Sequence, residues 1–314
     1  MTDTPDNAAA AWPIAAAMLQ FPGTLRDGTA ITDAGPDHWR RLLRRVVLAG
    51  FDNVEIPSAW LRLGDLSATA LGDFGAVVSE LGLGVPGITV VRESIIHPAQ
   101  GSQNLAFSHR TIDAAAELGV PVVCLGLHDA LAPAQRDVLW FWTQAPPPKP
   151  SEPETYDLAV RGYRELAEHA ANVGVELSLE LYEDTYLGTA SDAVRFVTDI
   201  GHPAVGLNPD LGNLVRRQGP VEDWRDILPA VVPYTNYWHV KNYLRMEHEN
   251  GTVFTAPATM ATGVINYRDA VTMALDAGYR GAFVVEHYGG DGLGVGAMSR
   301  DYLRGLLSEE LALR

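Results

Sequence analysis

Short apolar runs alternate along this chain with longer segments in which apolar residues recur every three or four positions. The short runs have the length of buried strands, and the longer segments have the periodicity of amphipathic helices. Leu42, Leu43, Val46 and Val47, for example, share one face of a predicted helix. The predicted strands cover residues 14–19, 53–56, 87–91, 122–127, 176–181, 204–207, 234–240 and 282–286.

The predicted helices follow these strands in regular alternation, which is typical of a parallel sheet. They cover residues 37–49, 69–82, 103–118, 153–173, 190–200, 221–230, 266–277 and 297–312. Eight strands, with no Gly-x-Gly-x-x-Gly motif after the first, favour a closed barrel over an open doubly wound sheet. The sequence therefore predicts a single α/β domain over residues 1–314, a (β/α)8 TIM barrel. Its strand-to-helix loops are long at 92–102, 129–152 and 241–263, on the face where barrel enzymes keep their active sites.

Four residues that can bind a metal lie at the carboxyl ends of successive predicted strands: Glu180, Asp210, His239 and Glu286. In a closed barrel these strand ends converge on one mouth, so we expect the four side chains to meet. Three carboxylates packed together without a cation would repel one another. Carboxylates with one imidazole suit Mn²⁺, Mg²⁺ or Co²⁺ better than a thiolate-rich zinc site does. The sequence therefore predicts one divalent metal, and we expect Mn²⁺.

Composition and charge narrow the classes of partner. The 23 basic and 39 acidic residues give a formal charge of −16. A nucleic-acid surface needs clustered Lys and Arg. We therefore expect neither nucleic acid nor a membrane as a partner. Cys124 is the only cysteine, which excludes an intramolecular disulfide. Residues 1–12 lack the basic and long apolar regions of a secretory signal. We therefore expect a cytoplasmic protein.

The segments around the four predicted ligands resemble a known group of barrels. Leu179-Glu180, Leu207-Asn-Pro-Asp210, His239-Val-Lys241 and Val285-Glu286-His287 are similar to the xylose-isomerase-like barrels, the sugar phosphate isomerase/epimerase superfamily. This resemblance implies one divalent metal on the four ligands, often Mn²⁺, and chemistry beside a sugar ketone. Ketose epimerases usually carry a histidine three residues after the aspartate, where this chain has Asn213.

Four further stretches, at 19–28, 50–55, 139–143 and 286–293, resemble the catalytic subunit of bacterial C-glycoside deglycosidases. That resemblance implies a lyase that cleaves the C–C bond of a 3-oxo-C-glycoside through a metal-stabilised enolate. It also implies a hetero-oligomer with a smaller β-rich partner subunit. The alternative is a sugar or sugar phosphate isomerase or epimerase, or an inosose-dehydratase-like enzyme. A barrel that only binds sugar is a third possibility, which an intact set of four ligands disfavours.

Proton transfer beside a ketone requires a general base and a general acid. His128, at the end of the fourth predicted strand, is the first candidate, because imidazole titrates near neutral pH. A structural histidine at the barrel rim is an equally supported interpretation of His128. Glu180 and Glu286 are the other candidate bases, as their equivalents are in the epimerases.

Six residues near the predicted mouth are candidates for contact with the sugar or glycoside substrate. Lys241 lies two residues after His239 and hence on the same side of an extended strand, although a structural ion pair is an equal alternative. His287 directly follows a predicted ligand, so strand alternation points it away from the metal. The six candidates are Glu55, Arg92, His97, Asn213, Lys241 and His287.

The aromatic run Trp140-Phe141-Trp142 in the loop 129–152 has three possible roles. It stacks on an aromatic aglycone, lies in a subunit interface, or folds onto its own barrel. Histidines in or beside the outer helices are interpreted as surface residues without a function. They are His38, His109, His169 and His202.

Overall fold

The computed structural model describes residues 5–314, and its strands form the predicted parallel barrel. Eight strands follow one another in the order β6-β5-β4-β3-β2-β1-β10-β7, and all neighbouring pairs are parallel. An isolated parallel bridge between Leu207 and Thr235 joins the two ends of this row. The strands are β1 (Ile14–Ala17), β2 (Asn53–Pro57), β3 (Ile88–Thr89), β4 (Val122–Leu125), β5 (Glu176–Glu180), β6 (Val205–Asn208), β7 (Trp238–Val240) and β10 (Phe283–Val285).

Helices surround this barrel, and the long helices lie where the apolar periodicity predicts them. Their apolar faces pack on the outward-facing strand residues, so the main core lies between the barrel and its helices. The α-helices are α1 (Pro5–Ala11), α2 (Pro36–Leu48), α3 (Ala68–Glu80), α4 (Gly101–Leu118), α5 (Pro133–Arg136), α6 (Pro153–Val173), α7 (Ala190–Ile200), α8 (Leu211–Val215), α9 (Trp224–Val231), α10 (Tyr267–Asp276) and α11 (Gly292–Ala312).

The interior of the barrel is filled by a second, smaller apolar cluster. Ala15, Ala17, Cys124 and Val284 point inward from the three strands β1, β4 and β10, and the Tyr237 side chain packs among them. Toward the carboxyl ends of the strands the barrel interior becomes polar, with the buried side chains of Glu55 and Glu180. The apolar layer therefore closes the barrel beneath the mouth and leaves the mouth as the place for chemistry.

The loop predicted at 241–263 instead contains a β-hairpin. Strands β8 (Asn242–Glu247) and β9 (Val253–Ala258) pair antiparallel and form a separate two-stranded sheet. The turn between them contains Asn250-Gly251, with Gly251 at φ 83°. An Asn-Gly pair between two alternating runs is a strong hairpin signal, so this element was predictable from the sequence.

The last helix begins five residues earlier than the predicted start at residue 297. Asp291 precedes helix α11 and its side chain accepts a hydrogen bond from the Gly294 amide. This aspartate stabilises the helix start and outweighs the poor helix propensity of the glycines that follow it.

The segment 1–12, from which the cytoplasmic location was predicted, is only partly described by the structure. Residues 1–4 lie outside the described residues, and the short helix α1 that follows them was not predicted. Within residues 5–314, no helix is both long enough and apolar enough to cross a bilayer.

Candidate metal centre

The four predicted ligands come together at the mouth of the barrel, and all four are buried. Glu180 is the last residue of β5, Asp210 follows β6 by two residues, His239 lies within β7, and Glu286 directly follows β10. His239 and Asp210 have no exposed surface, and Glu180 and Glu286 are 5% and 7% exposed. The parallel register of the strands produces this convergence, because it aligns their carboxyl ends.

The imidazole of His239 is held in one orientation by groups behind it. Its Nε2 lies 2.7 Å from Oε1 of Glu55, and its backbone amide donates a hydrogen bond of 2.7 Å to Oδ1 of Asn208. The same Glu55 oxygen accepts hydrogen bonds from the hydroxyls of Thr89 and Tyr237. A carboxylate at Nε2 fixes the proton there and leaves the Nδ1 lone pair free to bind a cation.

That free nitrogen faces two of the predicted ligands. Nδ1 of His239 lies 3.2 Å from Oε1 of Glu286 and 4.0 Å from Oε1 of Glu180. The contact with Glu286 is not aligned as a hydrogen bond, so this buried nitrogen has no hydrogen-bond partner among the described residues. A buried lone pair among carboxylate oxygens is the arrangement of a site for a divalent cation. Among the described residues, the ligand atoms of Glu55, His239 and Glu286 lie within 4.8 Å of one another, and so do those of Cys124, Glu180 and His239. His239 belongs to both groups, so the residues present fit a cation at its Nδ1, with Glu180 and Glu286 brought closer together when the ion binds.

Lys241 occupies the other side of the same cluster. Its ammonium group contacts Oδ2 of Asp210 and lies 2.5 Å from Oε2 of Glu286, and the residue is only 2% exposed. Lys241 thus neutralises part of the negative charge and leaves Oε1 of Glu286 facing His239. Asp210 contacts Lys241 and Asn213 in this arrangement, so its role as a direct ligand stays a prediction.

The charges of this cluster move the pKa values of its two glutamates in opposite directions. Burial, together with the neighbouring Asp210 and Glu286 carboxylates, raises the pKa of Glu180 to about 7. Burial alone would also raise the pKa of Glu286, but the positive charge of Lys241 lowers it below its ordinary value. Two neighbouring carboxyl groups whose pKa values are separated in this way are suited to different roles in proton transfer.

Asn213 supports Glu180 directly. Its amide donates hydrogen bonds of 2.7 Å to Oε1 of Glu180 and 3.0 Å to the carbonyl of Leu181, and its Oδ1 is buried without a partner among residues 5–314. Asn213 belongs to the short helix α8, whose start is capped by Asp210. One short turn of helix therefore carries both a predicted ligand and the residue that orients another.

Aromatic side chains cover this cluster. Phe141, Trp142 and Tyr288 form this layer, which we call the aromatic roof. Phe141 and Trp142, from the loop after β4, are 8% and 4% exposed and pack edge-on against Tyr288, two residues beyond Glu286. The indole N–H of Trp142 donates a hydrogen bond of 3.0 Å to Thr255 of the hairpin. Of the three roles considered for the run 140–142, these contacts of Phe141 and Trp142 match a loop folded onto its own barrel.

A fully buried guanidinium lies within the aromatic layer. Arg216 has no exposed surface and makes two hydrogen bonds, of 2.7 and 3.1 Å, to the carboxylate of Glu183. Its guanidinium carbon lies 4.8 Å from the ring centre of Phe141 and 5.3 Å from that of Trp142. This ion pair joins α8 to the loop after β5 and forms part of the wall of the site.

His128 lies at the edge of the roof. Its ring stacks on Tyr182 with centroids 4.4 Å apart, and it is 5% exposed. Burial, and then the positive charge of Arg92, lower the pKa of His128 well below its ordinary value. A neutral imidazole is thereby available at the mouth, and its Nδ1 has no partner in the described part of the chain.

A cavity of about 350 Å³ opens beside His128, on the outer side of the aromatic roof. Arg92 lies on its wall and donates hydrogen bonds to Tyr182 and to the carbonyl of Asp129. Within residues 5–314, none of the four predicted ligands lines this cavity. Its apolar lining includes Phe141, Trp142, Tyr182, Tyr186, Pro146 and Pro150.

The remaining residues that were predicted to contact substrate are His97, His287 and Glu55. Nδ1 of His97 accepts hydrogen bonds from the backbone amides of Ala99 and Gln100, just before α4. His287 is half-buried, and burial lowers its pKa. Both stay predictions as substrate contacts, whereas the buried contact of Glu55 with His239 indicates that Glu55 orients a ligand.

Sequence reasoning missed the residues that act through long-range contacts. Glu183 and Arg216 carry no motif, and 33 positions separate them. Glu55 was predicted only as a substrate contact, because its partner His239 lies 184 positions away. Only the closed barrel brings these pairs together, so no local signal could have found them.

Replacing Glu55 with glutamine tests whether it positions His239. We expect the affinity for Mg²⁺ or Mn²⁺ to fall by about 10–100-fold, because a residue that orients a metal-binding histidine has an effect of that size. Calorimetric titration of the chelator-treated protein measures this change. Glu176→Gln, at the opposite end of β5, is the control and should bind as the wild type does. Equal affinities for all three proteins would contradict the assigned role.

Comparison with known proteins agrees with this geometry. The family model described as Xylose isomerase-like TIM barrel matches residues 43–306. A Xylose isomerase-like TIM barrel protein from Mycobacterium smegmatis, solved in complex with magnesium, is 43% identical with a TM-score of 0.92. That match covers 97% of this chain and 99% of the other.

Two more distant relatives carry enzyme names. An inosose dehydratase from Erwinia tasmaniensis is 28% identical over 146 residues, which are 42% of this chain and 48% of the dehydratase, so the chain spans about half the length of this curated relative. The 3-keto-D-glucoside 4-epimerase of E. coli, in its apo form, shares the fold at 16% identity and a TM-score of 0.64, over 94% of this chain and 99% of that chain. With a family model that matches most of its length, this chain belongs to the Xylose isomerase-like TIM barrel family.

Proposed function

We propose that this protein is a divalent-metal-dependent enzyme that moves a proton at the carbon beside a ketone of a sugar or sugar derivative. The reaction class is that of an isomerase, epimerase or dehydratase. The observation that carries this proposal is the free Nδ1 of His239, buried between the carboxylates of Glu180 and Glu286. The names of the inosose dehydratase and of the 3-keto-D-glucoside epimerase support the same chemistry.

The residues that would hold the cation are His239, Glu180 and Glu286, with Asp210 as the predicted fourth ligand. A divalent cation there supplies Lewis acidity, which polarises a ketone and offsets negative charge that develops on its oxygen. We infer Mg²⁺ or Mn²⁺, because carboxylate oxygens predominate in the set and the magnesium complex of the Mycobacterium smegmatis protein has this fold.

The chain's own acids and bases would carry the proton. We assign this role to Glu180, whose Oε1 lies 4.0 Å from Nδ1 of His239, whereas the carboxylate of Glu286 is paired with the ammonium group of Lys241. Lys241 holds Glu286 and Asp210 in place with its positive charge. The aromatic roof of Phe141, Trp142 and Tyr288 excludes water from the reacting carbon, which strengthens each of these electrostatic contacts.

The epimerase and dehydratase outcomes of such a proton transfer differ only in the second step. In an epimerase the proton returns to the same carbon from the opposite face. In a dehydratase the electron pair left on the carbon expels a β-hydroxyl group, which leaves as water after taking a proton. The residues named above would serve both reactions, so substrate shape decides between them.

A C-glycoside deglycosidase is the second candidate, and the cavity beside His128 favours it. In that reaction the same electron pair expels the carbon of an aglycone, which takes a proton from an acid. Part of the cavity wall consists of aromatic and proline side chains, including Phe141, Trp142 and Tyr182, which suit a flat apolar group better than a free sugar. His128, which is buried, neutral and lines this cavity, is then a candidate base, and its protonated form after the first step is the acid that returns the proton to the aglycone.

Product analysis distinguishes the two candidates. The Mn²⁺- or Mg²⁺-loaded protein is incubated separately with ketoses, with inososes and with a 3-oxo-C-glycoside, and mass spectrometry with chromatography follows the products. We expect interconversion or loss of water with the first two substrate classes. Aglycone release from the third, with no change in the others, would replace the main proposal with the second. Incubation with a coexpressed smaller subunit tests whether a partner is needed.

A further inference from the structure

Two histidines on the neighbouring outer helices α4 and α6 face each other. His109 of α4 and His169 of α6 have their Nδ1 atoms 2.6 Å apart. Their ring centroids are 4.8 Å apart and the ring planes are inclined by only 25°, so the two rings meet edge to edge through their Nδ1 atoms. The sequence predicted two unrelated surface histidines, and the packing of α4 against α6 turns them into a pair.

Each imidazole is backed by a carboxylate at its other nitrogen. Nε2 of His109 lies 2.9 Å from Oε1 of Glu165, and Nε2 of His169 lies 2.7 Å from Oδ1 of Asp113. On each helix the histidine and the carboxylate are four residues apart, so one face of α4 and one face of α6 carry the four side chains. Each carboxylate therefore belongs to the helix opposite the histidine that it contacts.

The carboxylates determine which nitrogen of each ring carries the proton. An ionised carboxylate only accepts hydrogen bonds, so each Nε2 must donate. In the neutral imidazoles both Nδ1 atoms are then unprotonated, and two lone pairs face each other at 2.6 Å. Two acceptors do not stay this close unless a positive species lies between them, either a shared proton or a metal ion.

We propose that His109 and His169 bind a transition-metal cation of the Zn²⁺ class between their Nδ1 atoms, at a site separate from the barrel mouth. Imidazole nitrogen is a preferred ligand of Zn²⁺, Ni²⁺ and Cu²⁺. A metal-binding histidine usually donates its other N–H to a carboxylate, and both histidines have that arrangement through Glu165 and Asp113.

The geometry needs only a small adjustment to accept the ion. Zn–N bonds of about 2.0–2.1 Å at a tetrahedral angle separate two nitrogens by roughly 3.3 Å, which is somewhat wider than the present contact. The side chains of His109 and His169 are 27% and 25% exposed, so they have room to part. Water would complete the coordination, because the site lies at the surface. The ion would link α4 to α6, which precede β4 and β5 in the chain.

Zinc content measured by equilibrium dialysis and elemental analysis tests this site. After chelator treatment, His109→Ala should bind one Zn²⁺ fewer per chain than the wild type. His248→Ala, which removes an exposed histidine from the hairpin turn, is the matched control and should bind as the wild type does. Glu165→Gln should weaken the outer site by about tenfold or more. Equal zinc content in the wild type and His109→Ala would overturn the proposal.

Crystals of the wild type soaked in ZnCl₂ give a second test that does not depend on a variant. We expect anomalous scattering from zinc between Nδ1 of His109 and Nδ1 of His169. Density for zinc only at the barrel mouth would overturn the proposal and leave a shared proton between the rings. Because neither experiment measures catalysis, this site and the proposed enzymatic function stand or fall separately.

Discussion

Replacing Glu180 with glutamine is expected to abolish metal-dependent activity while leaving the fold intact. Glutamine has nearly the same shape and keeps an oxygen that can accept the hydrogen bond from Asn213. It removes the charge that faces His239 and the group that we assign to proton transfer. A bound metal stabilises developing charge by several kcal/mol, so we expect kcat/KM to fall by about a thousandfold or more.

Glu176→Gln is the matched control for this prediction. It makes the same substitution on the same strand, at the end away from the mouth, where Glu176 accepts a hydrogen bond from Asn236. Activity on whichever substrate the product analysis identifies, and affinity for Mn²⁺, are measured for both variants. A Glu180→Gln protein that retains wild-type activity would remove Glu180 from the site.

Replacing Glu183 with alanine is expected to have the largest effect on stability. It leaves the guanidinium of Arg216 fully buried and without its carboxylate partner, between the rings of Phe141 and Trp142. Breaking a buried ion pair by removing one partner costs about 3–5 kcal/mol, because the remaining charge keeps its desolvation penalty. Denaturant unfolding of the metal-free protein measures this loss.

The neighbouring surface pair provides the comparison. Arg217 contacts Asp184 at 2.9 Å, and the arginine side chain is 38% exposed. Replacing Arg217 with alanine should change the free energy of unfolding by about 1 kcal/mol or less, as is usual for solvent-exposed ion pairs. Similar losses in Glu183→Ala and Arg217→Ala would show that the buried pair contributes no more than a surface pair.

The barrel and the meeting of the predicted ligands followed from local patterns. The period and length of the apolar runs predicted the positions of the strands. Because the carboxyl ends of parallel strands share one face of the barrel, the sequence also predicted that Glu180, His239 and Glu286 lie close together. Boundaries were less accurate: β3 has two residues where five were predicted, and β7 begins at Trp238 after a turn of 3₁₀-helix. Strand ends depend on hydrogen-bonded pairing with neighbours, which the pattern of one segment does not contain.

The roles of individual side chains depended on contacts between distant segments. For Lys241 the sequence predicted either a substrate contact or a structural ion pair, and its ammonium group forms ion pairs with Asp210 and Glu286. Glu55 was predicted to touch sugar hydroxyls, but it holds the imidazole of His239. In both cases the spacing along the strand gave the correct side of the sheet and did not identify the partner.

The finer resemblance to C-glycoside deglycosidases stays a prediction. The family, the fold and the magnesium-bound relative support metal-dependent chemistry at the mouth. The stretch 139–143, which contributed to that resemblance, forms part of the aromatic roof through Phe141 and Trp142. A roof of this kind serves an epimerase, a dehydratase or a deglycosidase, so only the substrate can distinguish them.

Hydrogen–deuterium exchange at carbon tests the central claim most directly, because all of the proposed reactions begin with removal of the same proton. The Mn²⁺-loaded protein is incubated in D₂O with ketoses, inososes and a 3-oxo-C-glycoside, and mass spectrometry measures deuterium in the recovered sugar and its products. We expect enzyme-dependent deuterium incorporation at the carbon beside the ketone, or cleavage there, and we expect both to be lost on chelation and in Glu180→Gln. Absence of exchange and of product with all three substrate classes, in a protein shown to hold its metal, would contradict the central claim.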